Sequence, residues 1–240
     1  MGSTKAKWRG NQLAFFDNVT YETTLPLAPR YLYEDFEGET LNTDIWLANL
    51  LGAAPPTVTV ADGYGILTLT AAGQAQEADI GASGNSLDWD ISKGLIIEFR
   101  ANIATIATDE VEMHLGVLGE AIVDQQQISS ADDVAEHAVF SFDGSGLCRI
   151  NTDDGTNETT AVTTGITVLP GAFHVYRIDF TTQANVLFYI DGVQVIPATT
   201  VMMDDIVSAL VQPAMICQKN AGAGLGIVQI DYVKIWQATR

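Results

Sequence analysis

Residues 174–195 read HVYRIDFTTQANVLFYIDGVQV, and residues 224–237 read GLGIVQIDYVKIWQ. His174, Tyr176, Ile178 and Phe180 alternate with Val175, Arg177 and Asp179, the period of two that puts successive side chains on opposite faces of a strand. On this reading the core covers one face only. Asp191-Gly192 lies between two short apolar runs, and Asp-Gly supplies the two left-handed residues that a tight hairpin turn needs. Strand, turn and strand predict an antiparallel sheet in a two-sheet sandwich.

Outward from this stretch, runs with strand character recur about every ten residues, separated by Gly, Asp, Asn and Pro. They fall at 31–36, 57–60, 64–71, 94–104, 110–118, 137–143, 146–152, 159–163, 174–181, 185–191, 193–196, 211–218 and 225–237. Short, evenly spaced strands with turn signals between them indicate an all-β sandwich or barrel. Only ISSADDVAEH near 128–137 and VMMDDIVSAL near 201–210 resemble short helices. Residues 1–30 differ from the rest, mixing basic and aromatic side chains and ending in LPLAPR, where proline favours extended backbone. They are read as an extended N-terminal arm with one short strand at LAFF, and 31–240 as the sandwich.

A chain of 240 residues buries enough surface as one sandwich to fold without disulfides or metal. Cys148 and Cys217 lie in strand-like runs far apart, where cysteine behaves as a small buried hydrophobe. No run of about 18 apolar residues occurs, and no apolar stretch follows the first basic residues, so a chain made without a signal peptide and without a membrane partner is expected. Net charge is −19. Lys5, Lys7, Arg9 and Arg30 against Asp17 and Glu22 give the first thirty residues +2, which leaves −21 on the body. A body so acidic repels phosphate backbones, which excludes nucleic acid as its partner.

Three pieces together resemble the concanavalin A-like lectin and glucanase superfamily, a group of jelly-roll sandwiches that includes laminin-G-like modules. Tyr33-Glu34-Asp35-Phe36-Glu37-Gly38 with Leu41-Asn42-Thr43-Asp44-Ile45-Trp46 is similar to the opening of those proteins, 174–195 to their hairpin, and Ile230-Asp231-Tyr232-Val233-Lys234-Ile235-Trp236 to their closing strand. The resemblance implies a two-sheet antiparallel jelly roll over about 31–240. The glucanases carry Glu-x-Asp-x-x-Glu on a central strand, and retaining hydrolysis needs its carboxyls about 5–5.5 Å apart. That motif is missing here. The nearest run is Asp109-Glu110-Val111-Glu112-Met113-His114, whose Glu110, Glu112 and His114 share a face by alternation, with Val111, Met113 and Leu115 turned to the core. Acid–base work is open to such a face, yet no second acid is nominated, and a non-enzymatic protein is expected.

Other polar clusters have plainer readings. Asp153, Asp154, Asn157 and Glu158 offer oxygen ligands but lack the twelve-residue calcium-loop spacing, so they read as a hairpin tip. Asp132-Asp133 and Asp204-Asp205 read as helix-start or loop acids, and His137 and His174 as structural. No metal or cofactor is expected. Trp46, Trp89 and Trp236 are the candidates for stacking on sugar rings, although large aromatics in sandwiches mostly pack.

The opening KWRGNQLAFFDNVTYETTLPLAPRYLYEDF adds a second resemblance, to virion proteins of tailed bacteriophages in which a basic arm leads into a concanavalin-like sandwich. It implies a capsid decoration or cement protein on the virion exterior that grips the major capsid protein and self-associates there. Lys5, Lys7 and Arg9 would meet acidic coat groups, and Trp8, Phe15 and Phe16 would serve as anchors. The alternative is a carbohydrate-binding module for surface glycans, with Trp46 and Trp89 as its site.

Overall fold

The computed structural model describes residues 4–9, 12–17, 23–24, 30–107, 110–122, 136–205 and 209–238, with side chains from Arg30 onward. Two eight-stranded antiparallel sheets face each other. Sheet I runs β17 (Val193–Val195), β16 (Leu187–Ile190), β15 (Phe173–Asp179), β10 (Leu95–Ile106), β19 (Gly226–Gln237), β7 (Tyr64–Thr68) and β6 (Thr57–Ala61), with β4 (Arg30–Glu34) on the far half of β19. Sheet II runs β14 (Glu158–Thr167), β13 (Leu147–Asp153), β12 (His137–Phe142), β11 (Val111–Leu118), β18 (Leu210–Lys219), β8 (Gln76–Ala82) and β5 (Trp46–Leu51), with β9 (Trp89–Asp90) on β18. The expected sandwich is present, in the jelly-roll form.

Each expected strand from residue 31 onward has its counterpart, and β5, β8 and β9 are additions. The hairpin at 191–192 closes as its residues require, with Ile190 opposite Val193 and positive φ at Asp191 (49°) and Gly192 (74°). The helix expected near 201–210 does not form over 201–205. Val201 and Met203 are both fully buried, and main-chain bonds join Val201 to Val186 and Met203 to Gln183, so the segment is held to a neighbour instead of coiling on itself. Most of the other helix-like stretch, 128–135, lies outside the described residues, and His137 opens β12.

The arm carries the short strand expected at LAFF as β2 (Gln12–Asp17), with further pairing beside it that the expectation of an otherwise extended arm did not include. β1 (Thr4–Arg9) pairs antiparallel with β2 (Gln12–Asp17), and β2 with β3 (Thr23–Thr24), in a three-stranded sheet of their own. Lys5 stands opposite Phe16 in the register, Trp8 opposite Leu13 and Arg9 opposite Gln12. The side chains of the six arm residues expected to grip a partner (Lys5, Lys7, Trp8, Arg9, Phe15 and Phe16) lie outside the described residues.

Tyr176, Ile178 and Phe180 enter the core between the sheets, but Val175, Arg177 and Asp179 are buried too, which corrects the expectation of a strand covered on one face. Long side chains lie flat across the outside of sheet I and cover one another. The Arg177 guanidinium sits 4.0 Å over the Tyr189 ring, Lys234 lies 4.1 Å from the Tyr232 ring, and the Tyr232 hydroxyl donates to Glu98 at 3.0 Å. Such stems bury apolar surface while their heads stay paired. Phe36 and Trp46 stack within the core as the family resemblance implies, whereas Trp236 lies on the outer side beneath Tyr31.

Candidate functional site

Two strands of sheet II, β11 and β8, bring acids to one outer face on either side of β18. Glu112 stands opposite Gln218, and Gln218 opposite Glu77; His114 stands opposite Ile216, and Ile216 opposite Asp79. Glu112 and Glu77 are thus two strand spacings apart, about 9.5 Å along the sheet. Glu77, Asp79 and His114 are fully buried, and the Glu112 side chain is 30% exposed. Opposite Val111, Met113 and Leu115, where a strand covered on one side only would meet solvent, the face is therefore largely buried and polar. Glu110 lies at its exposed end. Where the glucanase pattern ends in a second glutamate this strand has Leu115, which is 1% exposed and part of the core.

A hydrogen-bond chain reaches the imidazole of His114. The Ala161 N–H donates to Asn151 Oδ1 at 2.6 Å, so the amide Nδ2 turns to Ser141 Oγ at 2.7 Å. Ser141 Oγ lies 2.9 Å from His114 Nδ1. His114 Nε2 is buried without a hydrogen-bond partner among the described residues and lies 3.7 Å from Glu112 Oε2.

A second layer closes part of this face. Ile122 packs with Leu118, Val139, Ala214 and Ile216, and a Cβ added at Gly81 would stand 2.4 Å from its Cδ1. Gln212 holds the covering segment down. It accepts from the Ala82 N–H at 3.0 Å and donates to the Glu120 carbonyl at 2.6 Å, while Asn85 Oδ1 accepts from the Ile122 N–H at 3.0 Å.

The open concavity lies elsewhere, at the lateral mouth between the sheets. A cleft of about 210 Å³ is bounded by Arg30 and Leu32 of β4, Asp44 to Trp46 at the start of β5, the 82–89 segment and Pro213 of β18. Both tryptophans expected to meet sugar line it. Trp46 is 1% exposed, and its Nε1–H donates to Glu34 Oε2 at 3.0 Å; Trp89 is 7% exposed, with the Arg30 guanidinium 4.3 Å above its ring. Arg30 also donates to the Asp88 carbonyl, Ser86 donates to Asp88 Oδ2 at 2.9 Å, and Ser83 to the Thr43 carbonyl at 2.9 Å. Asp44 is exposed, and its carboxylate accepts no hydrogen bond among the described residues. The cleft therefore joins an apolar back wall to a polar rim. Trp236 lies away from it.

The remaining singled-out groups serve the fold. Asp154 accepts from Thr156 N–H (3.0 Å), Asn157 N–H (2.6 Å), the Asn157 amide (3.1 Å) and Asp205 N–H (3.1 Å). Burial opposes its charge, but these donors outweigh burial and hold its pKa below the ordinary value. A carboxylate so occupied by N–H groups is a turn anchor. Asp191 is also held low, since the bonds from His174 and the Val175 N–H, at 2.7 and 2.9 Å, overcome burial. Cys148 and Cys217 are free thiols that burial pushes up in pKa. Asp132 and Asp133 lie outside the described residues.

The sandwich is shared with proteins that handle sugars. The carbohydrate recognition domain of Emp47p matches with a TM-score of 0.62 at 9% identity, covering 87% of this chain and 95% of that domain. The endo-β-1,3-glucanase of Pyrococcus furiosus matches at 0.61 and 12% identity, covering 97% of each chain, and the laminarinase of Rhodothermus marinus at 0.60 and 13%, covering 100% of each. No protein-family model and no curated relative matches the chain. The shared property is the concanavalin A-like jelly-roll fold; these structures do not bear on the capsid resemblance of the first residues.

The glucanases correct the expectation of a non-enzymatic protein. They show that this architecture carries glycoside hydrolysis elsewhere, and a motif confined to one strand was too narrow a criterion for excluding it. Here the face is assembled from Glu112 on β11 and Glu77 and Asp79 on β8, strands that lie on either side of β18 in the sheet and far apart in the sequence.

Proposed function

We propose that the sandwich is a carbohydrate-binding domain and that the sugar enters the cleft between Trp46 and Trp89. The observation that carries this reading is the convergence of both tryptophans on one concavity with Arg30, Asp44, Ser83, Ser86 and Asp88 around them. A pyranose ring presents C–H groups suited to an indole and hydroxyls that need donors and acceptors. An apolar wall with a few convergent polar groups is the usual composition of a small-molecule site. The sugar-handling proteins that share the fold support the same reading.

Both tryptophans belong to the core, and Trp89→Ala is the test because Trp89 is the less buried of the two, at 7% against 1%. Glycan-array screening followed by calorimetric titration of the best glycan should show affinity falling at least tenfold, about 1.4 kcal/mol, with the melting transition retained. Undiminished binding by a folded Trp89→Ala protein would remove the cleft from consideration.

A second reading is assembly on a virion exterior, with the first 29 residues gripping the major capsid protein. It is favoured by an arm whose strands, among the described residues, pair with one another and whose charge is opposite to that of the body. Many such arms on one shell would reinforce each other through multivalency. Deleting residues 1–29 should abolish co-sedimentation with capsids while leaving a folded sandwich; capsid binding by the truncated chain would refute this reading.

A further inference from the structure

We infer that the cleft accepts one terminal, uncharged hexose ring and not the interior of a glycan chain, an inference that rests on the carbohydrate reading above. Size is the first argument. At about 210 Å³ the cleft falls below the range of roughly 300–1,000 Å³ usual for drug-sized ligands, leaving room for one ring. Its back wall is formed by side chains that are themselves buried, Trp46, Trp89 and Pro213, while Arg30, Asp44 and Asp88 are exposed at its rim. A ring pushed inward meets the core, so a chain enters by its end.

Charge is the second argument. The rim holds two carboxylates and one guanidinium, and the guanidinium is committed to the Trp89 ring and the Asp88 carbonyl. Asp44 is left as an acceptor for hydroxyl protons on a chain of net charge −19. An acidic sugar would set its own carboxylate against Asp44 and Asp88, with no uncommitted cation among the described residues of the rim to receive it.

The outer face of sheet II supplies the third argument. A long glycan could lie across such a face only if it were open, whereas Glu77, Asp79, His114 and Gln212 are 0% exposed and Ile122 is packed onto Gly81. The cleft needs no such displacement.

The experiment titrates the full chain with methyl glucoside, galactoside and mannoside, and then with β-1,3- and α-linked oligomers of two to six units ending in the hexose that binds best. The same oligomers with that terminal residue oxidised to a uronic acid form the contrasting set. Affinity should stay within about twofold from two units to six, fall at least tenfold on oxidation, and lose much of that discrimination in Asp44→Asn, a change at an exposed position. Affinity that climbs tenfold with length, with oxidised ends bound equally well, would overturn the terminal-ring inference and leave carbohydrate binding standing. Failure to bind any of these sugars, or any glycan on an array, would overturn both.

Discussion

Lys219→Met should lower the stability of the sandwich by about 3–5 kcal/mol, as measured by urea denaturation, with the slope of the transition unchanged. Lys219 is 1% exposed at the end of β18, and its ammonium donates to the carbonyls of Ala71, Gly222 (3.2 Å) and Gly224 (2.7 Å). Those carbonyls belong to two loops, one following β7 and one preceding β19, so a single cation ties together connections that leave the two sheets. Methionine keeps most of the apolar stem but offers no proton, and each buried acceptor left unmade costs about 1–3 kcal/mol. Arginine, with a longer planar head, should fail to restore the wild-type value. A loss below 1 kcal/mol in Lys219→Met would mean that water replaces the ammonium at little cost.

Asp154→Ala should cost about 2–4 kcal/mol at neutral pH and should flatten the acid limb of the stability profile. Three main-chain N–H groups and one side-chain amide converge on this carboxylate, and one of them, from Asp205, belongs to a distant segment. Hydrogen bonds to an ionised acceptor are stronger than neutral ones. Because the folded-state pKa lies below the unfolded one, the contribution is complete above the unfolded value, about 3.9. It falls as pH drops through the folded pKa. Wild-type protein should thus lose its advantage over Asp154→Ala below about pH 4. Denaturation midpoints from pH 7 to pH 2 measure this, and a constant gap between the two proteins would contradict the assignment.

The strands that the sequence reveals are those with one wet-looking face and a recognisable turn, such as β15 with its alternation and the Asp191-Gly192 hairpin. β5 and β8 are hidden for different reasons. WLANLL is leucine-rich and lacks alternation, so tertiary pairing with β8 decides its state. QEADIGA has the helix-favouring Gln, Glu and Ala at four of its seven positions, yet all seven are buried. Its signal was nevertheless there, since Glu77, Asp79 and Gly81 alternate with Ala78, Ile80 and Ala82. Missing β8 concealed the acids that join Glu112 and His114 on one face. For the cleft, the tryptophans were legible as aromatic candidates, but their meeting was not. Neither propensity nor spacing tells that Asp44–Trp46, Ser83–Trp89 and Pro213 reach the same mouth, because strand order in the sheet settles that. Arg30 was counted with the arm, whereas it opens β4 opposite Gln237.

That position gives Arg30 two allegiances. It begins β4, and its guanidinium lies over the Trp89 indole. On the proposed function, the strand that follows the leader in the sequence is also the one that walls the sugar cleft. Free-energy linkage between sites is reciprocal: an anchored leader that shifted β4 would alter sugar affinity, and a sugar that clamped Arg30 in place would alter, by the same factor, how firmly the leader is held.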